Sequence, residues 1–244
     1  MKEAFLGTRE KSSRRILTEI GRRVYERGYV AANDGNISMR IGCDRILVTP
    51  TGMSKGFMNP EQMVPVDMNG RVLKGDFRPS SEIRVHLAVY RHRPDIHGIC
   101  HAHPVHATAF AVAGIPLNRP VLPEVVIGLG CIPVIPYGTP GTDDFVKPLL
   151  PFLHNHDAFL LANHGVLTLG PDAWSAYYRM EIVEHAAAIE MSAGRLGSIR
   201  TLTPEQTEAL LKQRKKWGVK KDLGPYPAEI SSGNRKKSGK DIHE

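Results

Sequence analysis

The chain has 244 residues, 41% of them hydrophobic and 23% charged, which excludes a collagen-like, coiled-coil or disordered polymer and allows one large domain or two small ones. No apolar run approaches the ~20 residues of a membrane span. Of the net charge of +7, residues 212–244 carry +6, with ten Lys or Arg against four acids, so the body is nearly neutral. The basic segment is expected to be a solvated tail without specific nucleic-acid or membrane binding. Met1-Lys2-Glu3-Ala4 leads into charged sequence rather than a secretory leader. Cys43, Cys100 and Cys131 lack the number and spacing of a disulfide or thiolate-zinc framework. A reducing, cytoplasmic setting is the expectation.

Ile16, Leu17, Ile20, Val24 and Tyr25 recur at helical steps and predict an amphipathic helix ending near Gly28. Arg45–Thr49 reads as a short strand closed by Pro50 and Gly52. Ser80-Ser81-Glu82 has helix-start chemistry, and Ile83, His86, Leu87 and Tyr90 share a face until Pro94 stops the helix. Residues 96–103 are β-like, and Pro104 opens a helix to Ala113. The prolines of Cys131–Pro136 suit an edge strand. Phe159–Ala162 and Val166–Leu169 flank the turn Asn163-His164-Gly165 as a hairpin. Asp172 can cap a long helix to about Arg195, and Thr203-Pro204-Glu205-Gln206 is a capping box for a last helix reaching Trp217. The expected fold is one α/β domain over residues 1–222, with helices flanking a mostly antiparallel sheet, and a tail over 223–244.

Chemistry concentrates in the histidines, eleven in all. His101-Ala102-His103 lies on a predicted strand, where residues two apart share a face and two imidazoles can converge on one ion. His164, at a turn after a strand, is a third candidate, and Glu82 can add an oxygen ligand or accept a proton. Three imidazoles and a carboxylate suit Zn²⁺, with Mn²⁺, Co²⁺ or Fe²⁺ as alternatives. His154-Asn155-His156 repeats the spacing in a polar stretch and reads as solvated loop. His86, His92 and His97 read as helix-surface or turn residues, and His106 stays ambiguous. Three segments look built for an anion: Asn33–Ser38, Thr49–Gly56 and Ser80-Ser81. Lys55, in an exposed-looking loop, is a poor imine-forming nucleophile.

Gly35-Asn36-Ile37-Ser38, Thr49-Pro50-Thr51-Gly52, Ser80-Ser81-Glu82, His101-Ala102-His103 and Asn163-His164-Gly165 resemble, in order and spacing, the class II aldolase/adducin family, nearest its fuculose-1-phosphate aldolase type. The resemblance spans roughly residues 10–217. It implies a three-layer α/β/α domain with a central antiparallel sheet, and a homotetramer with active sites at subunit interfaces. It further implies zinc held by His101, His103 and His164. Gly35, Asn36, Thr51, Gly52, Ser80 and Ser81 would bind a substrate phosphate, and Glu82 would be the acid/base that also touches the metal. The expected activity is retro-aldol cleavage of a ketose 1-phosphate to dihydroxyacetone phosphate and an aldehyde.

Two positions depart from the fuculose-phosphate pattern. Leu122–Val126 lacks the tyrosine that those enzymes bring from a neighbouring subunit, and Glu124 is the acid nearby; Trp217 stands where they carry a C-terminal tyrosine. A same-fold dehydratase or decarboxylase, with Glu124 as acid/base, is therefore the alternative. Val125, Val126 and Ile127 are expected to form an apolar wall if they face the site. A glutamate at 82 argues against the ribulose-phosphate epimerase branch, which has aspartate there. The intact histidines argue against a non-enzymatic, adducin-like interaction module.

Overall fold

The computed structural model describes residues 2–219 and 223–226. The first helix, α1 (Lys2–Glu26), ends just before Gly28, whose φ of +68° turns the chain. Leu17, Ile20 and Val24 make its buried stripe. Then follow β1 (Asn36–Arg40), β2 (Arg45–Val48), β3 (Val64–Asp67), α2 (Ile83–His92), β4 (Gly98–Ala102), α3 (Val105–Ala113) and α4 (Pro123–Gly128). The second half comprises β5 (Val134–Ile135), α5 (Asp143–Val146), β6 (Ala158–Leu161), β7 (Gly165–Gly170), α6 (Ala173–Leu196) and α7 (Pro204–Gln213).

The seven strands form one sheet in the order β3-β2-β1-β4-β7-β6-β5, antiparallel except for the β5–β6 edge pair. Period-two alternation divides the core between its faces. On one face Ile37, Cys100 and Ala102 pack with Leu17 of α1, Phe110 of α3 and Tyr177, Met180 and Val183 of α6. On the other, Ile46, Ile99, Leu167 and Leu169 meet Val85 and Val89 of α2 and Phe145 of α5. Each of the larger aliphatic and phenylalanine side chains among them contributes about 1.5–3 kcal/mol when fully buried. The result is the expected three-layer α/β/α architecture.

Both caps read from the sequence form. The Asp172 carboxylate accepts from Ser175 N at 2.8 Å to start α6, and Thr203 and Gln206 cap α7 reciprocally. Four elements escaped sequence reading: β1, β3 and the short α4 and α5. The polar Asn36 and Ser38 give β1 no strand signature in the sequence, yet both are buried. Ser38 Oγ lies 2.6 Å from His86 Nδ1 and 2.9 Å from Tyr90 OH, so the strand meets a polar counterpart on α2. His86 is accordingly 1% exposed, which corrects its reading as a surface histidine; His92 and His97 are exposed.

At the other end of the chain, Leu223 is buried, Gly224 O accepts from Cys131 N at 2.9 Å, and Leu223 O accepts from Arg214 at 2.6 Å. The body thus continues past the boundary expected at residue 222. The rest of the expected tail, 227–244, lies outside the described residues. Among the described residues no helix is long and apolar enough to cross a membrane.

Candidate active site

His101 sits near the end of β4, the middle strand of the sheet, on the face that Ile99 shares and α2 covers. His103 lies just past the strand, its backbone N–H donating to Tyr29 O at 2.8 Å. His164 stands in the β6–β7 turn, which Asn163 makes in the left-handed region at φ +56°, a conformation asparagine tolerates better than most residues. The antiparallel pairing of β4 with β7 and the tight β6–β7 turn thereby bring three imidazoles together. His101 Nε2 is 2.9 Å from His164 Nε2 and 3.2 Å from His103 Nε2.

Glu82 reaches this group from the N-terminal end of α2. Its Oε2 lies 3.1 Å from His101 Nε2 and its Oε1 lies 3.2 Å from His164 Nε2. Asn36 Nδ2 donates to Oε2 at 2.9 Å. Burial pushes the Glu82 carboxyl up, but the His101 charge and the hydrogen bonds from His101 and His164 outweigh it and hold the group well below the usual carboxylate range. Burial likewise lowers His103, helped by the neighbouring His101 and His164 charges, to about 4. Uncharged His103 keeps a lone pair for a cation.

The donor set fits a first-row divalent ion. His101 Nδ1 donates to Val166 O at 2.9 Å, which turns Nε2 toward the other two imidazoles. One donor atom from each of the three histidines falls within 4.8 Å of the others, a density of lone pairs that a shared cation relieves. His106 is not in this set: its Nδ1 lies 2.7 Å from Glu184 Oε1, and Glu184 also accepts the His106 and Ala107 N–H groups that open α3. His154 is exposed, and His156 Nδ1 lies 3.1 Å from Phe152 O, away from the cluster.

The three anion segments converge beside the histidines. A cavity of about 190 Å³ is lined by Gly35, Asn36, Thr51, Gly52, Ser80 and Ser81 together with Glu82, His103 and His164. Gly35 has φ +71°, and a Cβ there would come within 2.8 Å of His101 O, so glycine is required for the loop to lie against β4. Thr51 N–H donates to Arg78 O at 3.0 Å and Ser80 N–H to Thr49 O at 3.2 Å, joining the second and third segments. Asn36 Oδ1 is buried without a hydrogen-bond partner in the cavity wall.

Sequence reading missed two contributors and misjudged a third. Asp34 Oδ2 stands 3.5 Å from His103 Nδ1, and the Phe145 ring meets His164 edge-on at 5.2 Å. Lys55 was expected in an exposed loop, yet it is 1% exposed, because α1 packs across the turn Lys55–Phe57. Its ammonium is occupied by two backbone carbonyls, which agrees with dismissing an imine role. Glu124 is elsewhere in the chain's own surface: exposed on α4, it lines a different cavity with Arg27, Tyr29, Tyr178, Glu181 and His185. Val125, Val126 and Ile127 beside it are buried; Val125 lines that second cavity, and none of the three lines the histidine cavity.

A three-layer fold with these motifs at one end of its central strands defines a protein class, and the comparisons agree on it. Residues 15–191 match the family model described as Class II Aldolase and Adducin N-terminal domain. The chain belongs to that family. It is 37% identical over 182 residues to the 3-oxo-tetronate 4-phosphate decarboxylase of Haemophilus influenzae, covering 73% of this chain and 86% of the relative. It is 34% identical over 171 residues to an L-fuculose phosphate aldolase of Methanococcus maripaludis, covering 70% and 92%. Among solved structures, YgbL of Klebsiella pneumoniae superimposes with a TM-score of 0.77 at 33% identity, over 82% of this chain and 98% of the other.

Proposed function

We propose that this protein is a metal-dependent lyase that breaks the carbon–carbon bond one carbon removed from the carbonyl of a small phosphorylated substrate. The observation that carries the reading is the Glu82 carboxylate, which spans His101 and His164 at 3.1 and 3.2 Å on the wall of the anion cavity. His101, His103 and His164 would hold the ion, Zn²⁺ by donor type, with Mn²⁺, Co²⁺ or Fe²⁺ also compatible. Bound there, a divalent cation supplies electron withdrawal at the substrate carbonyl.

The chain's own groups do the rest. Gly35, Asn36, Thr51, Gly52, Ser80 and Ser81 seat the phosphate and fix the distance to the carbonyl. In the preferred reaction, a 3-oxo acid phosphate loses its carboxylate as CO2. The electron pair of the broken bond passes toward the carbonyl as an enediolate, and one proton, taken up from solvent and delivered by Glu82, ends on the carbon that lost CO2. Asn36, bonded to Glu82 Oε2, orients that carboxyl. Decarboxylation is favoured because the named relatives include 3-oxo-tetronate 4-phosphate decarboxylases. It also needs no group to take the hydroxyl proton of a departing aldehyde, and Leu122–Val126 has no tyrosine.

Retro-aldol cleavage of a ketose 1-phosphate is the second reading, supported by L-fuculose phosphate aldolases at 34% identity. In either reaction Glu124 could take part only from another copy of the chain, since its own cavity is separate from the histidine cavity. That arrangement accords with a tetramer with sites at subunit interfaces. Purified protein is incubated with a 3-oxo acid phosphate and with ketose 1-phosphates, and dihydroxyacetone phosphate is scored with CO2 or with an aldehyde. Release with CO2 supports the first reading and release with an aldehyde the second. Release of neither, with metal bound, overturns both.

A further inference from the structure

Lys55 is a buried cation with no ion-paired carboxylate among the described residues. Its Nζ donates to Asn33 O at 2.9 Å and to Met53 O at 2.7 Å. Those two carbonyls flank the anion loops: Asn33 precedes Asp34-Gly35-Asn36, and Met53 follows Thr51-Gly52. Lys55 also lines the cavity itself, where it is the one Lys or Arg among the described lining residues, facing two carboxylates, Asp34 and Glu82.

An ammonium buried against neutral carbonyls is unfavourable unless something else uses its charge. Burial pulls Lys55 down to about 8, with the Asp34 charge opposing the shift. At neutral pH the cation is therefore present, in a pocket whose other charged side chains repel an anion. A neutral residue of similar length would fill the same space without that cost.

We propose that the Lys55 ammonium is the fixed positive charge of the anion cavity, held in place by Asn33 O and Met53 O, and that it sets the affinity for a phosphate dianion. The inference rests on reading the cavity as a phosphate site, and it concerns binding rather than bond cleavage. Substrate bound to a variant lacking Lys55 would still meet Glu82 and the histidines, so KM should rise while kcat changes little.

The test measures inorganic phosphate binding by titration calorimetry, with Lys55→Met, Lys55→Gln and Ser81→Ala beside the wild type. Thermal midpoint and divalent-metal uptake check that each variant is folded with its histidine cluster intact. Gln keeps an N–H donor for the two carbonyls but carries no charge, so it separates charge from loop bracing and serves if Met fails to fold. The expected result is that Lys55→Met and Lys55→Gln both weaken phosphate by roughly tenfold or more, as loss of a charged partner does, with Ser81→Ala weaker as well. Phosphate bound by Lys55→Gln as tightly as by wild type, while Ser81→Ala loses it, overturns the role of Lys55 and leaves the phosphate site standing. Absence of phosphate binding in wild type, or binding that Ser81→Ala does not change, overturns the phosphate reading and this inference with it.

Discussion

The imidazoles of His101 and His164 stack face to face, their planes 4° apart and centroids 4.8 Å apart, although 63 residues separate them in the chain. Two rings held this way with Nε2 atoms 2.9 Å apart make a cation position as soon as both are unprotonated. The wild type should therefore hold about one divalent metal per chain, and His101→Ala should abolish it and reduce turnover to background, with the thermal transition still cooperative. Elemental analysis of dialysed wild type and variant checks it; equal metal in both would show that the ion lies elsewhere.

Glu82→Gln preserves shape and the bond from Asn36 but removes the group proposed to carry the proton. The variant should keep its metal and its phosphate affinity while kcat falls by ~10²–10⁴-fold. Steady-state kinetics alongside metal content decide the matter, and a variant with near wild-type kcat would move the proton step to another residue.

Gly165 is where β7 passes behind His103. A Cβ at this position would clash with His103 Cδ2 and come within 2.7 Å of Ala102 O, so neither ring nor strand can yield cheaply. Gly165→Ala should push the His103 ring off its position and weaken metal binding about tenfold or more, by analogy with losing a ligand-orienting contact. A competition titration against a chromophoric chelator measures this, and unchanged affinity would mean that His103 contributes little to holding the ion.

His86 gives a prediction in pH. Burial, together with the His101 charge and against the Glu82 charge, lowers it from 6.5 to about 3. The unfolded chain therefore binds a proton that the folded chain refuses between those values. The stability associated with neutral His86 is complete above about pH 6.5 and is lost as pH falls toward 3, at up to about 1.4 kcal/mol per pH unit. In urea denaturation from pH 7 to pH 4, the wild type should lose its advantage over His86→Gln as the solution is acidified. Parallel curves would remove His86 from the account.

Much of this was legible in the sequence because the elements are local. Asp172 and the Thr203–Gln206 pair announce their helices through nearby capping bonds, and an HxH on a strand puts both imidazoles on one face. Residues whose character is set by distant chain were misread. Ser38 looks like a turn residue until His86 and Tyr90, 48 and 52 positions later, supply its partners. Lys55 looks solvated until α1 lies across it. Glu124 was singled out by what its neighbourhood lacks, and the described chain places it in a cavity of its own.

His101 is steered by a bond to Val166 O, a carbonyl on the strand beside its own. Closing the β4–β7 ladder thus aims the imidazole before any ion is needed. A polypeptide made under metal starvation should reach its finished shape regardless, and later loading should switch it on without a refolding step.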